Sequence, residues 1–191
     1  ETDHGVVEET NQYIGLKGFN LEEHFRHLVP IPMTVGNDMN FLTMGCWAQK
    51  HPDAGSLVTL FMGGNGIGGG MVINGRLWTG ASGYCSEVGF LPVYERLNKG
   101  SLGLPPAEHI SELYARLIQV YAVTVNPHMM VLYRHPLLEG RLDEIRRLCA
   151  SYLPSKAIPS IELSYDYQQD YEKGLFTVAK SMGQAVSEGG L

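Results

Sequence analysis

The chain has 191 residues, with 14 Lys and Arg against 20 Asp and Glu, a formal net charge of −6 and 44% apolar content. That length fits one domain or slightly more. The acid excess, with no clustered Lys or Arg, argues against sequence-independent nucleic-acid binding, which needs phosphate neutralisation; ordinary apolar content argues against global disorder.

No run of about 18 apolar residues is present to span a membrane. The first ten residues carry four acidic groups and no Lys or Arg, which is not the pattern of a secretory signal peptide. Cys46, Cys85 and Cys149 are widely spaced and form no CxxC pair. They read as reduced thiols of a cytoplasmic protein rather than a zinc site or a disulfide framework. The chain opens Glu1-Thr2-Asp3 without Met and is expected to be a piece of a longer protein.

Taken in chain order, Asn20 followed by Glu23 predicts a capped helix start, with Leu21, Phe25 and Leu28 at helical spacing and Pro30 and Pro32 as its stop. A short strand is predicted at 33–35, then a helix at 39–49 and a turn at 52–55. Residues 56–62 form a nearly continuous apolar run with β-branched members, the pattern of a buried strand. A glycine-rich loop at 63–70 leads to a strand at 71–73, an Asn74-Gly75 hairpin turn and a returning strand at 76–78. Residues 80–104 read as loop. A helix at 107–125, a strand at 129–133, a helix at 136–152, a strand at 158–164 and a helix at 170–185 complete the chain, and the last residues read as a frayed tail. From residue 56 the order is β-β-β-α-β-α-β-α, which predicts an α/β layer fold with a mixed sheet flanked by helices.

Glycine is the compositional anomaly: 23 in 191 residues is about 12%, against an average near 7%. Ten of the 23 fall between Gly63 and Gly89. A loop such as 63–70 lets backbone N–H groups approach an anion; it reads equally as a tight, bulged β-hairpin. It is not a P-loop, because the Lys-Ser/Thr is missing and a strand follows in place of a helix. The GxGxxG match at 64–69 opens no helix, so it is not a dinucleotide fingerprint.

Two acidic positions carry further chemistry. Asn37-Asp38 falls after a predicted strand and before a predicted helix, where Asp38 suits a general base on a sugar hydroxyl or, equally, an N-cap. Glu87 lies in the glycine-flanked run 83–90, where a carboxylate suits a pair of vicinal hydroxyls or simply a surface loop.

Together these segments resemble the ROK family of bacterial sugar kinases and sugar-responsive repressors. The resemblance rests on Gly36-Asn37-Asp38, on Gly64-Asn65-Gly66-Ile67-Gly68-Gly69-Gly70 with the strand and Asn74-Gly75 turn behind it, and on Gly80-Ala81-Ser82-Gly83 leading to Glu87-Val88-Gly89-Phe90. It implies an actin-like ATPase (ribonuclease-H-like) lobe. It also implies Asp38 as catalytic base, sugar contacts from Asn37, Asp38 and Glu87, and phosphate contacts from Gly64, Asn65, Gly66, Gly68 and Gly69. Residues 1–55 are then expected to be the end of a first lobe with its linker, and 56–191 a C-terminal lobe.

The chain also departs from the family pattern. Phe90 stands where the family has a zinc-binding His, residues 91–106 replace its zinc cysteines, and Tyr133-Arg134 replaces a Gly-Gly beside the adenine, where bulk is expected to crowd a purine. No zinc is therefore expected, and ATP with Mg only if the parent protein is a kinase. The reading favoured on this basis is the sugar-sensing lobe of a transcriptional regulator, with a monosaccharide or sugar derivative as effector. Such a protein would be a homodimer in the cytoplasm that meets DNA only through a domain outside this chain and does not engage a membrane. The alternatives are a fragment of an ATP-dependent hexose kinase, inactive as this chain alone, and a degenerate lobe kept for dimerisation.

Overall fold

The computed structural model describes residues 2–3, 5–7, 14–29, 31–64, 66–93 and 106–189. At the N-terminal end, β1 (Thr2–Asp3) and β2 (Val6–Val7) pair antiparallel. Helix α1 (Leu21–Arg26) follows, with the Asn20 side chain accepting a hydrogen bond from the Glu23 N–H at 2.8 Å. The strand predicted at 33–35 does not form. The segment is tied instead to the Glu22 carboxylate, which accepts from the Val35 N–H at 2.8 Å and from the Thr34 side-chain hydroxyl at 3.2 Å.

The body is a five-stranded mixed sheet in the order β5-β4-β3-β6-β7. Strands β3 (Ser56–Gly63), β4 (Gly66–Ile73) and β5 (Arg76–Leu77) form an antiparallel meander, and β6 (Met129–Tyr133) and β7 (Ser160–Ser164) add in parallel beyond β3. Asn74 and Gly75 adopt φ of 51° and 73°, as the two-residue turn between β4 and β5 requires. Most of the segment expected to be a glycine-rich loop is strand: Gly66–Gly70 pair in register with Phe61 and its neighbours across β3, up to the pair Gly63 and Gly66. From residue 56 the element order is the expected one, with α3 (Ile110–Thr124), α4 (Leu142–Tyr152) and α5 (Tyr167–Gly189) alternating with β6 and β7. The helix predicted at 136–152 is two pieces. A 3-10 turn at Pro136–Leu138 ends before Gly140, whose φ of +71° breaks the spiral ahead of α4.

Side chains alternate across the sheet. Val58, Leu60, Met130, Leu132 and Ile161 face α3 and α4 in the larger core, and Leu57, Val131 and Tyr133 face α2 (Asp38–Lys50) and α5 in the smaller one. On that second side the packing is backbone to backbone. A methyl group on Gly45 of α2 would sit 1.7 Å from the Asp170 carbonyl oxygen, and one on Gly174 of α5 would sit 1.8 Å from the Phe41 carbonyl oxygen. Strand β4 is just as close, since a methyl on Gly70 would lie 2.0 Å from the Thr43 hydroxyl and one on Gly68 would lie 2.8 Å from Met39. Thr43 donates to the Met39 carbonyl at 2.6 Å and accepts from the Thr59 hydroxyl, so the buried hydroxyls at this contact are satisfied.

A polar network closes the same interface. Asp170 is fully buried, and one of its oxygens accepts from Lys50 Nζ and from the Tyr133 hydroxyl, each at 2.7 Å. Lys50 also reaches Ser164 at 3.0 Å and Asp166 at 3.1 Å. Burial works against the Lys50 charge, but the hydrogen bonds to Asp170 and Asp166 outweigh it and hold its pKa above the ordinary lysine value. Burial pushes the neighbouring Cys46 thiol up to about 12 and Cys149, in the other core, up to about 11; it raises the Tyr133 phenol as well.

Two outcomes follow. Gly45→Ala or Gly174→Ala should cost about 3 kcal/mol of urea-unfolding free energy or block folding, whereas Gly183→Ala, on open surface of α5, should gain about 0.5–1 kcal/mol from helix propensity. Equal, small effects at all three positions would refute the close contact. The second outcome concerns pH. Lys50, Cys46, Cys149 and Tyr133 each hold their proton more tightly folded than unfolded, so the stabilisation is intact below the unfolded pKa and is lost as pH rises toward the folded one. For Cys46 that window runs from 9.0 to about 12. Stability should be level through neutral pH and fall above about pH 9, and Cys46→Ala should flatten the slope by up to about 1.4 kcal/mol per pH unit. An unchanged slope in urea titrations of the variant would remove Cys46 from this account.

Candidate functional site

Helix α2 presents the Asn-Asp motif at its N-terminus. Asn37 is extended, at φ −68° and ψ 137°, and is the N-cap: its side-chain oxygen accepts from the Met39 N–H at 2.8 Å. Asp38 is the first helical residue and one of its oxygens meets the same N–H at 2.8 Å. The capping that the sequence left open for Asp38 therefore belongs first to Asn37, and the Asp38 carboxylate stands exposed at the positive end of the helix. Beside it lies an aromatic floor, with Phe61 and Tyr167 at 4.5 Å between ring centroids and Tyr171 stacked on Tyr167 at 6.0 Å. Burial, and then the Asp38 charge, raise the pKa of Tyr167.

Gly68 and Gly70 of β4 face α2, and Gly69 between them faces the other way. A methyl on Gly69 would sit 2.8 Å from the Ser86 carbonyl oxygen and 3.1 Å from the Tyr121 hydroxyl. Burial pushes the Tyr121 phenol up to about 12, with Ser86 offsetting part of the rise. Ser86 holds a φ of +71° and is followed by Glu87 and a 3-10 turn at Val88–Phe90 whose Val88 side chain is buried in the larger core. Glu87 is half-buried at the start of that turn. The two carboxylate-bearing segments are thus fixed against one strand, Asn37-Asp38 from the α2 face and Glu87 from the opposite face.

The tip of the β3–β4 hairpin lies at the α2 N-terminal end of β4, because Met39 meets Gly68 while Thr43, one helical turn on, meets Gly70. Gly64 has open space where a side chain would be, and Gly66 sits at φ +134°. Asn65 falls outside the described residues, as does most of the 91–106 segment expected to stand in place of the zinc cysteines. The missing side chains of Gly68, Gly69 and Gly70 are accounted for by close packing above and below the strand. Their N–H groups lie in the plane of the sheet, a separate matter from the packing.

At the C-terminal end of β6, Tyr133 does not crowd the exterior as the sequence led us to expect. Its ring is buried in the α2–α5 core, drawn inward by its hydrogen bond to Asp170. The outward bulk is Arg134 alone, which donates to Glu139 at 2.6 Å and 2.9 Å and lies over the Tyr165 ring at 5.6 Å. Sequence reasoning missed the Lys50–Asp170 pair. The only signal was a lysine at the end of one helix and an aspartate near the start of another, 120 positions apart.

The model of the ROK family matches residues 1–109. A curated relative, a glucokinase of Halalkalibacterium halodurans, is 31% identical over 80 residues, which is 42% of this chain and 24% of the glucokinase. The chain therefore aligns with about a quarter of that enzyme's length. Among solved structures, a ROK family glucokinase from Streptomyces griseus in complex with glucose and AMPPNP superposes with a TM-score of 0.63 at 15% identity, covering 91% of this chain and 76% of that one. A ROK family transcriptional regulator, a homolog of the E. coli MLC protein, gives the same TM-score at 16% identity, covering 91% and 61%. At these identities the superpositions speak for a shared actin-like fold. With the family model covering more than half of its residues, this chain belongs to the ROK family.

Proposed function

We propose that the chain is the sugar-sensing lobe of a ROK-type transcriptional regulator. Residues 1–55 would bring the Asn-Asp motif from the end of a first lobe, and 56–191 would form the C-terminal lobe. Asn37, Asp38 and Glu87 take the hydroxyls of a monosaccharide or sugar derivative. The reading is supported above all by the contrast between two regions. The segments bearing Asn37-Asp38 and Glu87 are anchored to β4 with closely packed backbone, whereas the end of β6 carries a tethered guanidinium, Arg134, where the family has glycine beside its adenine. The effector would act by favouring one arrangement of lobes or subunits, in a homodimer that reaches DNA through a domain outside this chain.

A second reading, a fragment of an ATP-dependent hexose kinase, draws on one observation: the open hairpin tip at Gly64 and Gly66 shares an end of β4 with the exposed Asp38 carboxylate. In that reading Asp38 accepts the proton of the reacting hydroxyl as general base. The backbone N–H groups of Gly64, Asn65, Gly66, Gly68 and Gly69 would face the phosphates of ATP bound with Mg, the group that supplies the transferred phosphoryl.

Thermal denaturation with a panel of monosaccharides and with ATP separates the two. A sensor at a hundredfold excess of effector over Kd gains about 2.7 kcal/mol, a rise of roughly 5–10 °C, and gains nothing from ATP. Asp38→Asn and Glu87→Gln should each weaken sugar binding roughly 10- to 100-fold, the scale of hydrogen bonds to charged groups. A rise with ATP would favour the kinase reading; this chain alone is expected to release no ADP, and hexose-dependent release above a sugar-free control would overturn that expectation. No shift with any sugar or with ATP would leave a lobe retained for dimerisation.

A further inference from the structure

The loop that carries Glu87 also carries three large, exposed aromatic side chains. Trp78 is 54% exposed, Tyr84 40% and Phe90 74%, all within thirteen positions. Scattered apolar groups are normal on a protein surface; these are concentrated on one loop, and two of them pair. The Tyr84 and Phe90 rings stand 6.1 Å apart at an interplanar angle of 58°, so they form an open angle rather than a closed stack.

The backbone beneath them is fixed. The Cys85 N–H donates to the Thr79 carbonyl, Glu87 to Tyr84, Val88 to Ser86 and Phe90 to Glu87, at 2.9–3.3 Å. Val88 is buried in the larger core and the Ser86 carbonyl rests on Gly69. Tyr84 and Phe90 therefore flank Glu87 on a loop whose shape is set by folding, and the cost of ordering it does not fall on a ligand.

Phenylalanine has no hydrogen-bond donor or acceptor and ligates no metal. What an exposed ring can offer beside a carboxylate is an apolar face with a negative quadrupole. A pyranose is the complementary object, with polar hydroxyls around its rim and a flat patch of C–H bonds on each face, polarised by the neighbouring oxygens. We propose that Phe90, with Tyr84, is a stacking platform for the C–H face of a pyranose whose rim hydroxyls are taken by Glu87. Phe90 then makes a facial contact, and the site selects sugars by the flatness of one ring face. An all-equatorial ring such as β-glucose fits, and an axial substituent on the stacked face does not. The inference rests on the sugar-binding reading above and specifies which groups of the sugar are recognised.

The test uses the full chain with glucose as probe, read by saturation-transfer difference NMR and by titration. Wild-type protein should transfer saturation preferentially to the protons of one ring face, either H1, H3 and H5 or H2 and H4. Phe90→Ala, at an exposed position and so expected to melt like wild type, should weaken glucose binding about three- to tenfold, the range of an aromatic contact, and abolish the facial preference. Glu87→Gln should weaken binding but leave the facial preference in place. Glucose bound by Phe90→Ala with wild-type affinity and an unchanged proton pattern would overturn the platform while leaving the sugar-sensing reading intact. If wild-type protein binds none of glucose, galactose and N-acetylglucosamine, the sugar-sensing reading falls and the platform with it.

Discussion

Helix α2 touches its neighbours without side chains in between. Gly45 and Gly174 bring the backbones of α2 and α5 into van der Waals contact, and Gly68 and Gly70 let the same helix lie flush on β4. Packed helices ordinarily keep their axes 8–10 Å apart because side chains fill the gap. Where the filling is absent, the position of the helix is set by backbone atoms, which cannot change rotamer to absorb a shift. The orientation of Asn37 and Asp38 at the N-terminus of α2 is inherited from that contact. For the sugar contact proposed for these two residues, a displacement near 1 Å is already costly.

The same closeness explains the chemistry at the far end of α2. Asp170 is fully buried there, and removing one partner of a buried ion pair is typically far more damaging than the pair is stabilising. Asp170 obtains a cation from Lys50 and a neutral donor from Tyr133 on one oxygen. The size of Tyr133 then makes sense as part of this unit. Residue 133 ends β6, and a glycine there would leave Asp170 and Cys46 facing a hole. The residue with bulk at the family's glycine position is thus bound up with the buried charge behind it. On the outer surface the next residue, Arg134, is held by Glu139 and Tyr165.

Much of the fold was legible because its signals are local. The apolar runs at 56–62 and 129–133, the Asn74-Gly75 turn and the three- and four-residue spacing in α3 each point to one conformation within a short window. The failures share a cause as well. The alternation that identifies a strand is read from side chains, so Gly66–Gly70 were invisible as strand although their backbone pairs without interruption. Residues 33–35 look like a strand by composition, but the Val35 N–H goes to Glu22, a partner no spacing rule reveals. Gly140 interrupts a pattern that Leu138, Leu142 and Ile145 continue on either side, so the break was hidden by apolar residues that suit both pieces. At the site, the sequence placed Asn37 and Asp38 at a helix start. Which of the two caps depends on a single N–H that both side-chain oxygens, the Asn37 amide and the Asp38 carboxylate, reach, and that choice is made in three dimensions.

The concentration of glycine between residues 63 and 89 has a physical reading that is independent of any ligand. Omission of a side chain acts perpendicular to the sheet, where Gly68 and Gly70 admit α2 on one face and Gly69 admits Ser86 and the Tyr121 hydroxyl on the other. Consecutive residues of one strand therefore key two separate segments, one leading to Asp38 and the other to Glu87. Their relative position is carried by three peptide units of an extended, doubly packed backbone rather than by the loops in which the carboxylates sit. Loops that had to be ordered at the moment of binding would surrender part of their contact energy to that ordering. Here the ordering is completed during folding, and the glycine run is what allows a rigid strand to hold both segments.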